Sequence, residues 1–404
     1  MRVLCITTNF PRWEGDPHSP WIVQMIRLLH ERGVDVEVLA PSYQGLGNHV
    51  IYSIPVFRYR YFFSPWETLT HTEGAPNKIK NPLYLPLIAP YMLSGAVATA
   101  ALCRRQKYDV IHVHWPLPQG VFGLVGKRLS GARLVASFHG AELLLTRRYP
   151  FLKPVLRYIV ERCDAVSANS SFTAGLIREV ADVDVQVIPY GSSIEAPVKK
   201  EAPPLSADAR PQILFVGRLI ERKGLPYLIE AMDCLSDRIL ARLDIVGLGY
   251  QEPELKRMVK ERGLEEVVIF RGRVTDEELN ELYANCQVFV LPSIIDAHGD
   301  TEGLGVVLLE ALSYKKPVIG TNVGGIPDII LPGETGVLVE PGDAVALAEA
   351  IERVLSDPAW ARRLGEAGYA YVSERFAWPR IVDDIMALYS PESETPSHDC
   401  HHFP

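Results

Sequence analysis

The stretch that decides the reading is Asp300-Thr301-Glu302-Gly303-Leu304-Gly305-Val306-Val307-Leu308-Leu309-Glu310-Ala311-Leu312. Two carboxylates, Glu302 and Glu310, stand eight positions apart; Gly303 and Gly305 follow the first, and an apolar run leads to the second. The spacing predicts a helix starting near Gly303, with free backbone N–H groups and the positive end of its dipole at the tip. Helix starts of this kind hold phosphates, and glycine lets a ligand come close to the backbone. At about 1.5 Å of rise per residue, Glu302 and Glu310 would lie roughly 12 Å apart along the axis. A long ligand with an anion in the middle and hydroxyls at both ends fits that layout, and a nucleotide-sugar has this shape. Beyond it, Pro317–Thr321 reads as a strand and Gly324-Gly325-Ile326-Pro327 as a turn.

Outward from this stretch, short apolar runs alternate with helical patterns. Val3–Thr7, Val36–Leu39, Val110–Val113, Leu134–Phe138, Ala165–Ala168 and Val185–Pro189 read as strands, and Ile22–Arg32 and Phe172–Val180 as helices. After a Pro-rich, charged break at 196–205, the alternation restarts with Ile213–Val216, Leu243–Val246, Val267–Phe270, Val288–Leu291 and Gly336–Val339. Such alternation gives a mostly parallel, doubly wound α/β sheet. We therefore divide the chain into a Rossmann-like domain 1–194, a linker 195–210, a second Rossmann-like domain 211–375 and a polar tail 391–404. The Asp399-Cys400-His401-His402 run in that tail has metal-binding residue types, but a tail without fixed geometry is the expected reading.

The 404 residues are 48% hydrophobic and 22% charged, an ordinary globular composition. Charge is uneven: residues 1–190 hold 20 Lys+Arg against 14 Asp+Glu, an excess of +6, and the remainder holds 21 against 35, or −14. Six widely spaced cysteines with no CxxC pair read as reduced thiols of an intracellular protein. The first residues turn polar too soon for a signal peptide, so a cytoplasmic location, free or on the inner membrane face, is the expectation. Residues 83–103 carry no charge and could span a bilayer by length, but Pro86, Pro90 and Gly95 interrupt them, and a packed helix is expected. The aromatic and basic run Phe57–Phe63 reads as a strand and loop. The basic cluster Arg147, Arg148, Lys153, Arg157 and Arg162 is compatible with peripheral membrane contact by the first domain.

Downstream of the linker, Val216-Gly217-Arg218-Leu219 ends a strand and Lys223-Gly224 opens a helix. A loop at the carboxyl edge of a sheet with Arg218 and Lys223 five apart can grip a diphosphate, one as a fork and the other as a point charge. With the glutamates and Gly320-Thr321-Asn322-Val323-Gly324-Gly325-Ile326-Pro327, this set resembles the retaining glycosyltransferases of family 4, which have the GT-B fold. The likeness runs through residues 1–390 or so.

That resemblance implies two Rossmann-like domains facing each other across a cleft, and a helix near 376–390 that crosses back to the first. It implies that Arg218 and Lys223 hold the donor diphosphate and that Glu302 lies near the donor sugar. The backbone at Gly303, Leu304 and Gly305 would touch phosphate or sugar, Glu310 the ribose hydroxyls, and the backbone at Val274 the nucleobase. In the first half, Ser137-Phe138-His139-Gly140-Ala141-Glu142 matches the family's His-Gly-x-acid segment, placing His139 on the transferring sugar and Glu142 on the acceptor side. His112 and His114 share a strand face; a zinc pair is conceivable from the residues, but no third ligand is evident, so His112 is read as packing and His114 with Trp115 as cleft lining. Gly15 lies in the loop that corresponds to the family's glycine-rich acceptor-side loop, and the resemblance implies that it contacts the donor. This chain has Gly15-Asp16 where many members have two glycines, and Tyr190 where they often have Asn.

The activity expected from the resemblance is retaining, metal-independent transfer of a sugar from a UDP or GDP donor to a hydroxyl of a glycan, lipid-linked glycan or small molecule. No cofactor and no nucleic-acid partner are expected. The rival readings are a nucleotide-sugar epimerase of the same fold and a non-catalytic nucleotide-sugar binder. A dehydrogenase is disfavoured because no Gly-x-Gly-x-x-Gly follows the first strand.

Overall fold

A computed structural model describes residues 1–16, 19–70, 78, 81–191 and 210–390. Most of the expected linker, the whole tail and its Asp399–His402 run lie outside the described residues. The first half contributes β1 (Arg2–Ile6), β2 (Asp35–Pro41), β3 (His49–Ile51), β4 (Ile54–Tyr59), β5 (Val110–His114), β6 (Arg133–Phe138), β7 (Ala165–Ala168) and β8 (Gln186–Val187). They form one sheet in the order β3-β4-β2-β1-β5-β6-β7-β8, parallel except for the β3–β4 pair. The second half contributes β9 (Gln212–Val216), β10 (Arg242–Val246), β11 (Val268–Gly272), β12 (Val288–Leu291), β13 (Val318–Thr321) and β14 (Val337–Val339). Their order is β11-β10-β9-β12-β13-β14.

Both orders reverse at one place. In the first sheet the chain moves from β1 to one side and returns to the other at β5; in the second it does so between β9 and β12. At such switch points neighbouring loops diverge and leave a crevice at the carboxyl ends of the strands, which is where ligands bind in open α/β sheets. The central strands are fully buried, as sheets covered by helices on both faces require. The helix Trp378–Tyr389 follows the second lobe in sequence but packs on the first. Its Ile381, Val382, Ile385 and Leu388 join Ile22, Ile26 and Leu29 of the helix Pro20–Glu31 in one apolar cluster. Tyr389 at its end reaches His112 Nδ1, 2.8 Å away.

Three expectations shift. The helix expected at Gly303 begins at Val306 and runs only to Ser313, because Gly305 takes a left-handed conformation (φ 91°) that starts the helix late. Glu302 therefore sits in a loop, and the helical rise does not measure its separation from Glu310. The strand expected over 185–189 shrinks to Gln186–Val187 at the sheet edge. The apolar stretch forms a 3₁₀ turn, Pro82–Leu87, and a helix, Ile88–Arg105. One face of that helix, with Tyr91, Gly95, Thr99 and Leu102, packs inward; Leu93 and Val97 remain exposed. By length and composition alone residues 82–105 could cross a membrane.

Candidate active site

The loop after β9 and the loop after β12 meet at the switch point of the second sheet. Lys223, in the 3₁₀ turn Glu221–Lys223, is buried and forms an ion pair with Glu302 Oε2. Arg222 donates to the Thr301 carbonyl at 3.0 Å, and lies 3.5 Å from both the Glu302 and Asp300 carboxylates. Arg218 makes no ion pair among the described residues and is the most exposed of the three cations, though its guanidinium is still partly desolvated. Sequence reasoning missed Arg222; its place beside Lys223 on a tight turn was the available signal.

The charge balance of this cluster is lopsided. Burial drives Glu302 upward, but Lys223, Arg222 and Arg218 pull harder and hold its carboxyl below the usual range. Burial lowers the Lys223 ammonium; Glu302 opposes this, and Arg222 and Arg218 reinforce it. Arg218 is lowered by burial and by Arg222. Among the described residues, three cations crowd around Glu302 with the half-exposed Asp300 as the one further carboxylate partner. The surplus is positive, and an incoming anion relieves it.

The loop carrying Glu302 is held from behind. Gly325 N–H donates to the Glu302 carbonyl at 3.0 Å. Gly324 has φ +60°, and a Cβ there would strike that same carbonyl oxygen. The expected Gly324–Pro327 turn is thus a backbone clamp under the helix tip. Glu310, on the helix Val306–Ser313, accepts from the Tyr283 hydroxyl at 2.7 Å. Burial raises its carboxyl to about 7 although Tyr283 opposes it. Val274 follows β11, two strands from β9 on the side of β10, and packs partly against the core. Loops 217, 247 and 272 stack there, with Gly217 N–H bonding the Val246 carbonyl and Gly247 N–H the Gly272 carbonyl.

Across the cleft, His139 follows β6. Its backbone N–H donates to Glu142 Oε1 at 2.8 Å. Glu142, expected on the acceptor side, is fully buried, and burial raises its carboxyl to about 7. Both His139 ring nitrogens are engaged: Nε2 lies 3.2 Å from His114 Nδ1, and Nδ1 bonds the Tyr190 hydroxyl. Burial lowers His139 to about 3, so the imidazole is neutral. Trp21 packs on His139, Tyr190, His114 and Trp115 at centroid distances of 5.0, 4.5, 5.6 and 5.9 Å. The Tyr190 hydroxyl and ring thus hold the His139 imidazole in place. His112 and His114 share a face, as their ring centroids, 4.2 Å apart, show. Among the described residues no group of three metal-ligating side chains converges.

Gly15, expected to touch the donor, spends its N–H on the Tyr52 hydroxyl at 2.7 Å. Asp16, in place of the second glycine, accepts from the Arg12 backbone and guanidinium at 2.9 and 2.7 Å. This loop is braced by side chains and leads into the helix bearing Trp21. The two lobes touch at the site itself. A Cβ on Gly303 would stand 3.4 Å from Asn169 Nδ2 and 3.5 Å from the His139 carbonyl oxygen. Beside this, the Ser171 N–H donates to Asp328 Oδ2 at 2.6 Å. Arg218, which makes no ion pair among the described residues, the Lys223 ammonium and the Gly303 loop ahead of the helix belong to the second lobe, with His139 facing them from the first.

Two switch-point sheets facing each other, with a cationic loop and a helix tip between them, define a GT-B glycosyltransferase architecture. Family comparison agrees. Residues 21–195 match the model "Glycosyltransferase Family 4", and residues 199–371 match "Glycosyl transferases group 1". The chain is 31% identical over 396 residues to the GDP-mannose-dependent alpha-(1-6)-phosphatidylinositol monomannoside mannosyltransferase of Mycobacterium tuberculosis, covering 94% of this chain and 96% of that protein. It is 28% identical over 312 residues to the N-acetyl-alpha-D-glucosaminyl L-malate synthase of Bacillus anthracis, covering 74% and 79%. The sucrose-phosphate synthase structure from Thermosynechococcus elongatus superposes with a TM-score of 0.72 at 24% identity, covering 96% of this chain and 98% of that one, and shows the same fold. The chain belongs to the family 4 glycosyltransferases, and it is a glycosyltransferase of GT-B fold.

Proposed function

We propose that this enzyme transfers a sugar from a UDP or GDP donor to a glycan or lipid-linked hydroxyl acceptor, with retention of anomeric configuration and without a divalent ion. The observation that carries this is the positive surplus around Glu302: Arg218 without an ion pair among the described residues, and Arg222 and Lys223 sharing the one buried carboxylate that precedes Gly303. As the glycosidic bond breaks, negative charge grows on the leaving phosphate. Fixed cations and backbone N–H groups aimed at that charge lower the barrier most when the site excludes water. Positive charge grows at the anomeric carbon, where the His139 carbonyl across from Gly303 presents its negative end. One relative named above is GDP-mannose-dependent and the other makes an N-acetylglucosaminyl malate, which supports a nucleotide-sugar donor without choosing its sugar.

We propose as well that the protein works at the cytoplasmic face of a membrane. Phe151, Val155 and Tyr158 are exposed around the helix Lys153–Val160, beside Arg148 and Lys153. Apolar side chains rimmed by cations suit an anionic lipid surface.

One experiment addresses both parts. The protein is incubated with UDP-glucose, UDP-N-acetylglucosamine, UDP-galactose or GDP-mannose, EDTA and anionic phospholipid vesicles carrying glycolipid acceptors. Expected are release of the nucleoside diphosphate, an α-linked product by NMR, and sedimentation with the vesicles that Phe151→Ser abolishes. A β-linked product, or turnover restored only by added magnesium, contradicts the catalytic part. Protein left in the supernatant contradicts the membrane part. A rearranged nucleotide-sugar in place of a transfer product would point to an epimerase.

A further inference from the structure

Asp328 carries a carboxylate of the second lobe onto the first. It ends the 3₁₀ turn Ile326–Asp328, and its Oδ2 accepts the Ser171 N–H at 2.6 Å. Ser171 opens the helix Ser171–Arg178 of the first lobe. The N–H groups of a first helical turn have no partner within their own helix. Ser170 provides for one of them, because its hydroxyl accepts the Thr173 N–H at 3.2 Å. The Ser171 N–H finds its acceptor across the cleft. A carboxylate at a helix N-terminus also meets the positive end of the dipole, and a hydrogen bond to an ionised group is stronger than a neutral one.

Backbone hydrogen bonds tie each end of this contact to a segment of the site. On the second lobe, the Asp328 N–H donates to the Gly325 carbonyl at 3.2 Å, and the Gly325 N–H donates to the Glu302 carbonyl at 3.0 Å. The Tyr371 hydroxyl donates to the Asp328 carbonyl at 3.0 Å from the helix Pro358–Arg375. On the first lobe, Ser171 follows closely on Asn169, whose N–H donates to the Phe138 carbonyl at 3.2 Å, next to His139. The contact thus joins the turn under Glu302 and Gly303 to the strand end that carries His139. We propose that Asp328 is a positioning residue for the transfer: its carboxylate latches the Ser171–Arg178 helix and so holds Gly303 opposite His139, without touching substrate. Its part in the reaction rests on the transfer reading above; the latch between the lobes does not.

The test is a double-mutant cycle. Asp328→Ala removes the acceptor, and Ser171→Pro removes the N–H. Proline suits the first helical position, and Ser170, at φ −157° and ψ 161°, already has the extended backbone that a following proline requires. Small-angle scattering of the unliganded protein should show a larger radius of gyration in each variant and no further rise in the double variant. In transfer to glycolipid vesicles from the nucleotide-sugar that wild type prefers, each single variant should lose roughly 10- to 100-fold in kcat/KM, the range for a hydrogen bond to a charged group. The double variant should lose no more than either single one, because both remove the same contact. Calorimetric affinity for UDP and GDP, which the second lobe holds, should stay within about twofold of wild type. Asp328→Asn keeps an acceptor oxygen and should recover most of the lost rate; comparing it with Asp328→Ala decides the matter if the proline variant does not fold. Losses that multiply in the double variant, an unchanged radius, or nucleotide affinity that falls in step with transfer would make the two residues separate local supports and overturn the latch. If wild type binds neither UDP nor GDP, the donor reading fails, and the scattering comparison still tests the latch.

Discussion

Lys223→Ala is expected to lower the transfer rate by about 10³-fold while leaving the protein folded. Removing one preorganised group that stabilises developing charge costs on the order of 10²–10³ in turnover, or about 3–4 kcal/mol. Stability should change far less. Breaking a buried pair ordinarily leaves a stranded charge and costs about 3–5 kcal/mol. Here Glu302 keeps Arg222 within 3.5 Å, and removing Lys223 relieves the repulsion among three neighbouring cations. We expect a fall in melting temperature of only a few degrees, corresponding to about 1 kcal/mol. Steady-state kinetics and thermal melts on the same preparation check both parts. Transfer within threefold of wild type would remove Lys223 from the chemistry; loss of the folded state would make it a structural residue.

Gly324→Ala is expected to damage both stability and catalysis without touching any group that meets substrate. Gly324 holds φ +60°, which costs a residue with a Cβ about 1–2 kcal/mol, and that Cβ would strike the Glu302 carbonyl oxygen. The turn must shift, and the loop bearing Glu302 and Gly303 must shift with it. We expect a loss of about 2–4 kcal/mol in stability. Displacing positioned groups by about 1 Å costs about 10²-fold in rate, and turnover should fall by that order. Gly333→Ala is the control. It also has a left-handed φ, +77°, but nothing lies within 4 Å of its would-be Cβ. Urea unfolding and initial rates should show strain alone for Gly333→Ala, about 1 kcal/mol with unchanged turnover. Equal effects for the two variants would mean that the clamp under Glu302 does not set the geometry of the site.

The alternation of apolar runs and helical patterns was enough to read two doubly wound sheets, because buried parallel strands are short, continuous and apolar. Val3–Ile6 and Ile213–Val216 show this in the sequence itself. The helix start after Glu302 was legible only to within three residues. The sequence pointed to a start near Gly303, but Gly305 takes a left-handed conformation in which an added Cβ would crowd Leu291 and Leu308, and the helix begins after it. Long-range pairings were out of reach. Arg222 reads as one more surface cation until β9 and β12 lie side by side and bring residues 300–302 to it. Asn169 and Tyr190 are distant in sequence from His139, and only the adjacency of β6, β7 and β8 gathers them. His112 was read as packing, and its bonds to Tyr389 and Ser137 tie the crossing helix to the first sheet.

Calorimetric titration of the wild-type protein with UDP, GDP, UMP and GMP tests most directly whether Arg218, Lys223 and the Gly303 tip form a pyrophosphate clasp. A diphosphate of one base should bind at least about 10-fold more tightly than its monophosphate, a difference of about 1.4 kcal/mol, and Arg218→Ala should erase that difference. Equal affinity for mono- and diphosphates, or no binding of either by folded protein, would contradict the account.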